Sequence, residues 1–348
     1  MGAYILRRLI QAAFTIFGVM LITFLLFRLV AGDVAAAHLG PKVTEQQKRD
    51  WLHKHGYDKP KLINKSLWRC RSGPAPPASG ASTAGTTGSC GARPPWSTVL
   101  KSTFLDTQFA DYLWKTATFQ TRSLITNERL IDIIRQRAPY SLAITVPAMA
   151  LGWAMAMVVA TIVAYYRASL IDYVGVFLAV LGMCIPYLAF IMAGQYLVFQ
   201  LRPSMAFGLS NPFNIFVPVT IAVIAGLGGQ VRFYRTVILD EANRDYVRTA
   251  LAKGLPLPAV MFKHILRNCM LPILTQLILA IPFLILGSLL LESFFGIPGL
   301  GDQLLSAITN RDEPIVSGET YLTALIYTLG VLLTDISYAI FDPRVRLT

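Results

Sequence analysis

Few residues of this 348-residue chain have the type and spacing to do chemistry. His53 and His55 flank Lys54 in the run HKH and could offer two imidazoles to a metal. A zinc site normally takes three or four ligands, so the pair reads instead as solvated side chains on a polar helix. Asp335 lies near the inner end of an apolar stretch, where an acid is a candidate proton carrier. No second buried acid or histidine completes a relay, so Asp335 reads as an interfacial acid paired with an arginine. Cys70 and Cys90 share one Gly/Pro/Ser-rich stretch and are weak evidence for a disulfide. Cys184 and Cys269 lie too far off in the topology below to meet them. The patterns G-x-x-x-x-G-K-[ST], H-E-x-x-H and G-x-S-x-G are missing. Nothing here is equipped to hydrolyse a nucleotide or a peptide bond.

What remains is a recognition element. Residues 245–255 read DYVRTALAKGL, a charged segment between long apolar stretches. The spacing predicts one helix from about Thr236 to Lys253, closed by Gly254 at the position after the cap and stopped by Pro256. A second helix is expected from Pro258, through PAVMFKHILRN, into the next apolar run. On the first helix Ala242, Tyr246 and Ala250 line one side, with Val247 and Leu251 beside them. Small and apolar residues flanked by Arg244, Arg248 and Lys253 suit an acidic-rimmed groove of a partner protein. The competing reading is an amphipathic helix on anionic lipid, which usually carries larger apolar side chains.

The elements that must hold this segment are membrane helices. The chain is 54% hydrophobic and 14% charged, well below the roughly one quarter charged residues of a soluble domain. Six runs approach the ~20 residues that a bilayer core demands, at 9–30, 139–165, 173–199, 213–227, 271–291 and 321–340. The fourth is short, and Gly226, Gly228 and Gly229 leave its inner end open. In lipid each must satisfy its own backbone, so all six are expected as helices. Pro147, Pro186, Pro218 and Pro282 fall inside runs and are expected to bend or kink them. The first run is longer than the h-region of a cleaved leader, roughly 7–15 residues, and reads as a retained span. Arg28 at its outer end is expected to snorkel to the surface.

The net charge of +12 would suggest nucleic acid in a soluble protein. Here it follows the positive-inside rule. With the N-terminus inside, the inner segments hold Arg7, Arg8, Arg167, the 231–268 stretch, Arg344 and Arg346. The organisation is then a first span in 1–31, an outer block in 32–138, and a membrane core in 139–348 whose inner loop covers 236–270. In the outer block, TEQQKRDWLHKH reads as a helix with Thr44 and Gln47 forming a capping box. Residues 66–98 have no apolar period and are expected to lack a fixed fold. Order is expected again at FADYLWKTATF, where Phe109, Tyr112, Leu113 and Thr116 recur at helical spacing. At 294–301, FFGIPGLG has glycines that allow a tight re-entrant turn.

The run DYVRTALAKGLPLPAVMFKHILRN resembles the EAA loop of ABC-importer permeases, in the form found in the dipeptide/oligopeptide (peptide/nickel) family. The ten-residue step from Gly254 to His264 matches, while the acidic-Ala-Ala triplet falls on Arg248, Thr249 and Ala250, so only its last residue agrees. LESFFGIPGLGDQLLSAITNRDEPIVSG, DISYAIFDPRVRL and GAYILRRL resemble the same permeases. The likeness covers 1–31 and 123–348 and fails over 66–98.

The resemblance implies an all-α, six-span, type I importer permease with an extracytoplasmic insertion, in a bacterial inner membrane with both termini cytoplasmic. It implies a coupling loop that uses Arg244, Asp245, Tyr246, Arg248, Thr249, Ala250, Lys253, Gly254 and His264. Outer-gate or receptor-facing candidates are Glu292, Phe294, Phe295, Pro298 and Gly299. The chain itself would bind no cofactor; ATP and magnesium would sit on two cytoplasmic ATPase subunits. A second similar permease and an outer substrate-binding protein would complete the assembly, which would move peptides, nickel or other small solutes by alternating access. An ion-coupled secondary transporter would instead need intramembrane charges and inverted repeats. A receptor or anchor would need no docking helix.

The topology carries a direct test. In a cysteine-free background, Pro60→Cys should react with an impermeant maleimide added to intact cells, and Lys253→Cys should not. Labelling at 253 but not 60 would invert the orientation.

Overall fold

The computed structural model describes residues 2–30, 34–40, 43–62, 103, 105–201, 213–286 and 289–341. The expectations for 66–98, for Cys70 and Cys90, and for the basic end at 342–348 lie outside the described residues. By internal contacts the chain forms two units. One comprises Met1–Ile16, Ile131–Asn310 and Leu322–Thr348, the other Phe17–Leu130 and Arg311–Tyr321. The described residues are almost wholly helical, and their only strand-like feature is an antiparallel bridge between Arg122 and Arg129.

Helix α1 spans Gly2–Leu25 and ends in a π turn, Leu26–Val30. Helices α2 (Val34–Leu39), α3 (Glu45–His55) and α4 (Gln108–Ala117) follow. Then come α5 (Leu130–Tyr165), α6 (Leu170–Cys184), α7 (Tyr187–Leu201) and α8 (Phe213–Ala242). The short α9 (Asp245–Ala252) and α10 (Leu257–Val260) lead through a π turn, Met261–Ile265, into α11 (Leu266–Leu286). Helices α12 (Leu289–Phe294), α13 (Leu300–Thr309) and α14 (Glu313–Phe341) close the sequence of elements. Five stretches are long and apolar enough to cross a membrane, and α6 with α7 makes a sixth if that bent pair counts as one span.

One sequence expectation changes, and two that the sequence left open are settled. The third apolar run bends at Pro186 as expected, and sharply, since α6 and α7 meet at 94°. Proline disfavours the helical conformation in the residue before it. Ile185, before Pro186, is accordingly extended at φ −81°, ψ 123°. The fourth run does not stop near its glycines, since α8 continues for 30 residues. A Cβ on Gly228 would lie 2.5 Å from the Ala179 carbonyl oxygen, so α6 and α8 cross backbone to backbone there. The helix expected from Thr236 to Lys253 is two helices. Arg244 is extended at φ −72°, ψ 150°, and separates α8 from α9.

In the first unit, Ala156, Ala160 and Ala164 form a buried small-residue ridge along α5. Such four-residue spacing lets helices approach closely where lipid supplies no hydrophobic drive between them. The ridge packs in one cluster with Ala179, Val231, Tyr234 and Ile238, and that cluster continues into Val247, Ala250, Val260 and Ile265. Here too, the Arg8 Nε lies 3.2 Å from Asp335 Oδ2, which is the pairing expected for that acid.

In the second unit the capping box forms. Thr44 Oγ1 accepts from the Gln47 N–H, and the Gln47 side chain accepts from the Thr44 N–H. Helix α4 packs Phe109 and Tyr112 on Phe24, with ring centroids at 5.0 and 5.5 Å. Arg28 does not snorkel freely. Its Nε lies 3.0 Å from Glu313 Oε1, and its guanidinium stacks 3.7 Å over the Tyr57 ring. His53 lies 3.9 Å from Asp58, while His55 stacks on Trp51.

The α6–α8 crossing predicts a contrast between adjacent glycines. A Cβ on Gly229 would meet no atom within 4 Å, whereas one on Gly228 meets backbone. Gly228→Ala should cost about 1–3 kcal/mol by overpacking, and Gly229→Ala should be neutral or slightly stabilising. Thermal unfolding of the purified chain in detergent distinguishes the two, and equal midpoints would contradict the crossing.

Candidate functional site

Two regions gather the candidate residues. The first is the α8–α9–α10 segment. Helix α9 starts after Arg244, whose extended backbone accepts from the Val247 N–H at 3.0 Å. It ends in a Schellman closure: Gly254 N–H donates to Leu251 O at 2.9 Å, and Leu255 N–H to Ala250 O at 3.4 Å. Gly254 takes φ +80°, as its place after Lys253 predicts. Pro256, extended at φ −67°, ψ 143°, then starts α10. The turn into α11 is a π segment, a geometry that frequently marks functional positions, and His264 lies half-buried in it.

The faces of α9 differ from the expectation for it. Val247 and Ala250 are 3% and 7% exposed, and Tyr246 packs on the same cluster as Ala242. Tyr246 and Ala250 therefore anchor the helix and do not offer themselves to a partner. An eight-residue amphipathic helix must bury its one apolar stripe, and here the buried side runs through 246, 247 and 250. The Tyr246 hydroxyl donates to Glu241 Oε1 at 2.9 Å, which ties α9 back to the end of α8. Burial pushes the Tyr246 phenol above its ordinary value.

The exposed side carries Asp245, Arg248, Thr249, Leu251, Ala252, Lys253, Gly254 and Leu255. Arg244 and Arg248 reach Glu241 and Asp245 only at 3.8 and 3.9 Å. Such exposed pairs hold little energy, so these guanidinium groups remain available. The Thr249 hydroxyl folds back on Asp245 O at 3.0 Å.

A pair that sequence reasoning does not bring together stiffens the approach to this segment. Arg235 on α8 donates from Nε and Nη2 to Asp172 Oδ1 and Oδ2 at 2.8 and 2.9 Å. Asp172 Oδ2 also accepts from the Ala168 N–H at 2.9 Å, where Ala168 has φ +62°. Asp172 is buried, and a bidentate partner is what a buried carboxylate requires.

The second region is the α12–α13 turn. Gly296 has φ +63°, and Ile297 N–H donates to Glu292 O at 2.9 Å, so the turn is tight, as its glycines predict. Glu292 is wholly buried. Its Oε2 accepts from the N–H groups of Gly301 and Asp302 at 2.8 and 3.2 Å, at the N-terminus of α13. Ser141 Oγ, from α5, accepts from the Leu300 N–H at 2.8 Å. A Cβ on Gly299 would fall 2.2 Å from Glu292 Oε2 and 2.6 Å from Ser141 Oγ. Phe295 is buried with Ile144 and Ile191, while Phe294 and Pro298 are exposed. The Phe294 carbonyl accepts from Gln195 Nε2 at 2.5 Å. Of the five candidates here, Glu292, Phe295 and Gly299 build the turn, and Phe294 and Pro298 face outward from it.

Neither region holds a nucleophile beside a base, and no group of three metal-ligating side chains occurs among the described residues.

A family model described as binding-protein-dependent transport system inner membrane component matches residues 140–347. The chain is 28% identical over 360 residues to the oligopeptide transport system permease protein AppB of Bacillus subtilis, covering 99% of this chain and 100% of that one. It is 29% identical over 350 residues to the dipeptide transport system permease protein DppB of Lactococcus lactis, covering 100% of both. It is 30% identical over 244 residues to the protein of the same name from Bacillus subtilis, covering 69% of this chain and 79% of that one.

The α12–α13 turn yields a prediction. Glu292→Leu leaves two amides without an acceptor, at about 1–3 kcal/mol per buried group, and should lower both the unfolding midpoint and the abundance in membranes. Glu292→Gln keeps one acceptor oxygen and should lose less than half as much. Equal loss in the two variants would show that the negative charge, and not the acceptor oxygen, holds the turn.

Proposed function

The chain belongs to the family of binding-protein-dependent transport system inner membrane components, and from that premise we propose that it is a permease subunit of an ATP-driven peptide importer. As a member it is a multi-pass inner-membrane transport component and not an enzyme. The peptide assignment draws on the names of its relatives, which are oligopeptide and dipeptide permeases. In this reading the chain lines half of the pathway, and a second similar permease lines the other half. Two ATPase subunits carry ATP and magnesium and dock inside; a substrate-binding protein delivers peptide outside. Both chain termini lie in the cytoplasm.

One observation carries the coupling part of the reading. Helix α9 is fixed on its buried side by Val247 and Ala250 and left open on its charged side. A push on the exposed side is therefore passed to α8 through Tyr246–Glu241 and to the cluster under α5. The 236–270 segment would be the coupling loop, with Arg244, Asp245, Arg248, Thr249, Lys253 and Gly254 at the ATPase surface. Tyr246, Ala250 and His264 would transmit from behind. Alternating access then needs only that nucleotide state bias one of two arrangements of this packed unit. In the α12–α13 turn, Phe294 and Pro298 would face the outer mouth.

Gly254→Val tests this. A Cβ at Gly254 meets no atom within 4 Å, so the substitution adds backbone strain and no clash. The left-handed conformation costs a branched residue about 1–2 kcal/mol, little against the packing of the membrane helices. The variant should insert at normal abundance. In proteoliposomes with the full assembly, it should lose substrate-stimulated ATP turnover and uptake. Wild-type uptake with normal stimulation would remove the loop from the coupling path.

A further inference from the structure

The second unit has a half-open cavity of about 660 Å³, within the range of small-ligand sites. Its lining joins aromatic faces of Trp51, Tyr57 and Tyr112 to a set of charged groups. The acids among these are already neutralised. Glu313 faces Arg28 at 3.0 Å and accepts from the Tyr57 hydroxyl at 3.1 Å. Asp111 takes Lys59 at 2.8 Å. The cations are not balanced in the same way. Lys54, Lys115 and Arg122 line the cavity, are exposed, and form no ion pair among the described residues. The charge left over in the lining is therefore positive.

Thr121 lines the same cavity and is only 7% exposed, yet its Oγ1 is buried with no hydrogen-bond partner among the described residues. Buried hydroxyls are nearly always bonded. The Thr121 oxygen is closed to solvent and lies behind the cavity wall, so the cavity's own contacts come from the other lining groups.

We propose that this cavity binds a small carboxylate-bearing ligand, its carboxylate drawn by Lys54, Lys115 and Arg122. The volume suits two or three amino-acid residues. That the carboxylate is a peptide's C-terminus rests on the importer reading above; the carboxylate itself rests on the lining charges. The site would hold peptide on the permease itself, apart from the binding protein.

Isothermal titration of the full chain in nanodiscs, without binding protein or ATPase, provides the test. Trialanine should bind saturably, and its C-terminal amide should bind about two- to fivefold more weakly, as loss of an exposed charge pair implies. Lys54→Gln combined with Lys115→Gln should weaken trialanine to a similar degree without moving the unfolding midpoint. Equal binding of acid and amide, an unaffected double variant, or no saturable binding of any carboxylate would overturn the site. Binding of hippurate but not trialanine would overturn its peptide assignment and keep the carboxylate site. Peptide uptake by the parent assembly, scored separately, tests the importer reading without reference to this cavity.

Discussion

The burial of Val247 and Ala250 against the membrane core is the interaction on which the inner segment depends. An isolated helix of eight residues is far below the ~12–15 that can persist in water. Helix α9 thus has a shape only because its apolar side is held, its start is set by an extended Arg244, and its end is closed by a left-handed Gly254. Each of these fixes the direction of the exposed residues. If that side came loose, Arg248 and Lys253 would still be charged but would present no defined surface.

The same logic runs through the first unit. Small residues let helices touch, and touching helices move together. Ala156, Ala160 and Ala164 on α5, with Ala179 opposite Gly228, leave little side-chain volume between backbones. Asp172 and Arg235 then fix the short 166–169 turn to α8 by a charged, directional contact. At the other candidate region, Glu292 caps α13 while Ser141 joins that helix to α5. Both regions are thus attached to α5, one through packing and one through hydrogen bonds. A permease that alternates between two states has use for such a rigid body, since packed elements shift between discrete arrangements and do not deform continuously.

Much of this is legible in the sequence, and the parts that are not share a cause. Apolar length discloses the spans, and the Gly254–Pro256 pair discloses the end of α9, because both are local properties. The capping box at Thr44 and the tight turn at Gly296 are legible for the same reason. The break at Arg244 is hidden because nothing in Glu241–Ala242–Asn243–Arg244 forbids a helix; α9 turns aside to bury its stripe. That choice of partner also reverses the roles of Tyr246 and Ala250. The bend at Pro186 is readable as a possibility, but its 94° is not. Arg28 reads as a lone cation because Glu313 is 285 positions away in sequence, and Asp172 with Arg235 escapes notice for a similar reason. The alanine ridge on α5 is present as a four-residue repeat and can be found by looking for it.

The central claim is that the exposed side of α9 touches an ATPase subunit and feels its nucleotide state. Cysteine cross-linking at position 252, with Ala252→Cys in native membranes, addresses it most directly, since Ala252 is exposed on that side. The account predicts a short-linker adduct with an ABC ATPase whose yield changes when ATP is added or hydrolysis is trapped with vanadate. Ready modification of position 252 by a small maleimide, with no ATPase adduct in any nucleotide state, would contradict it.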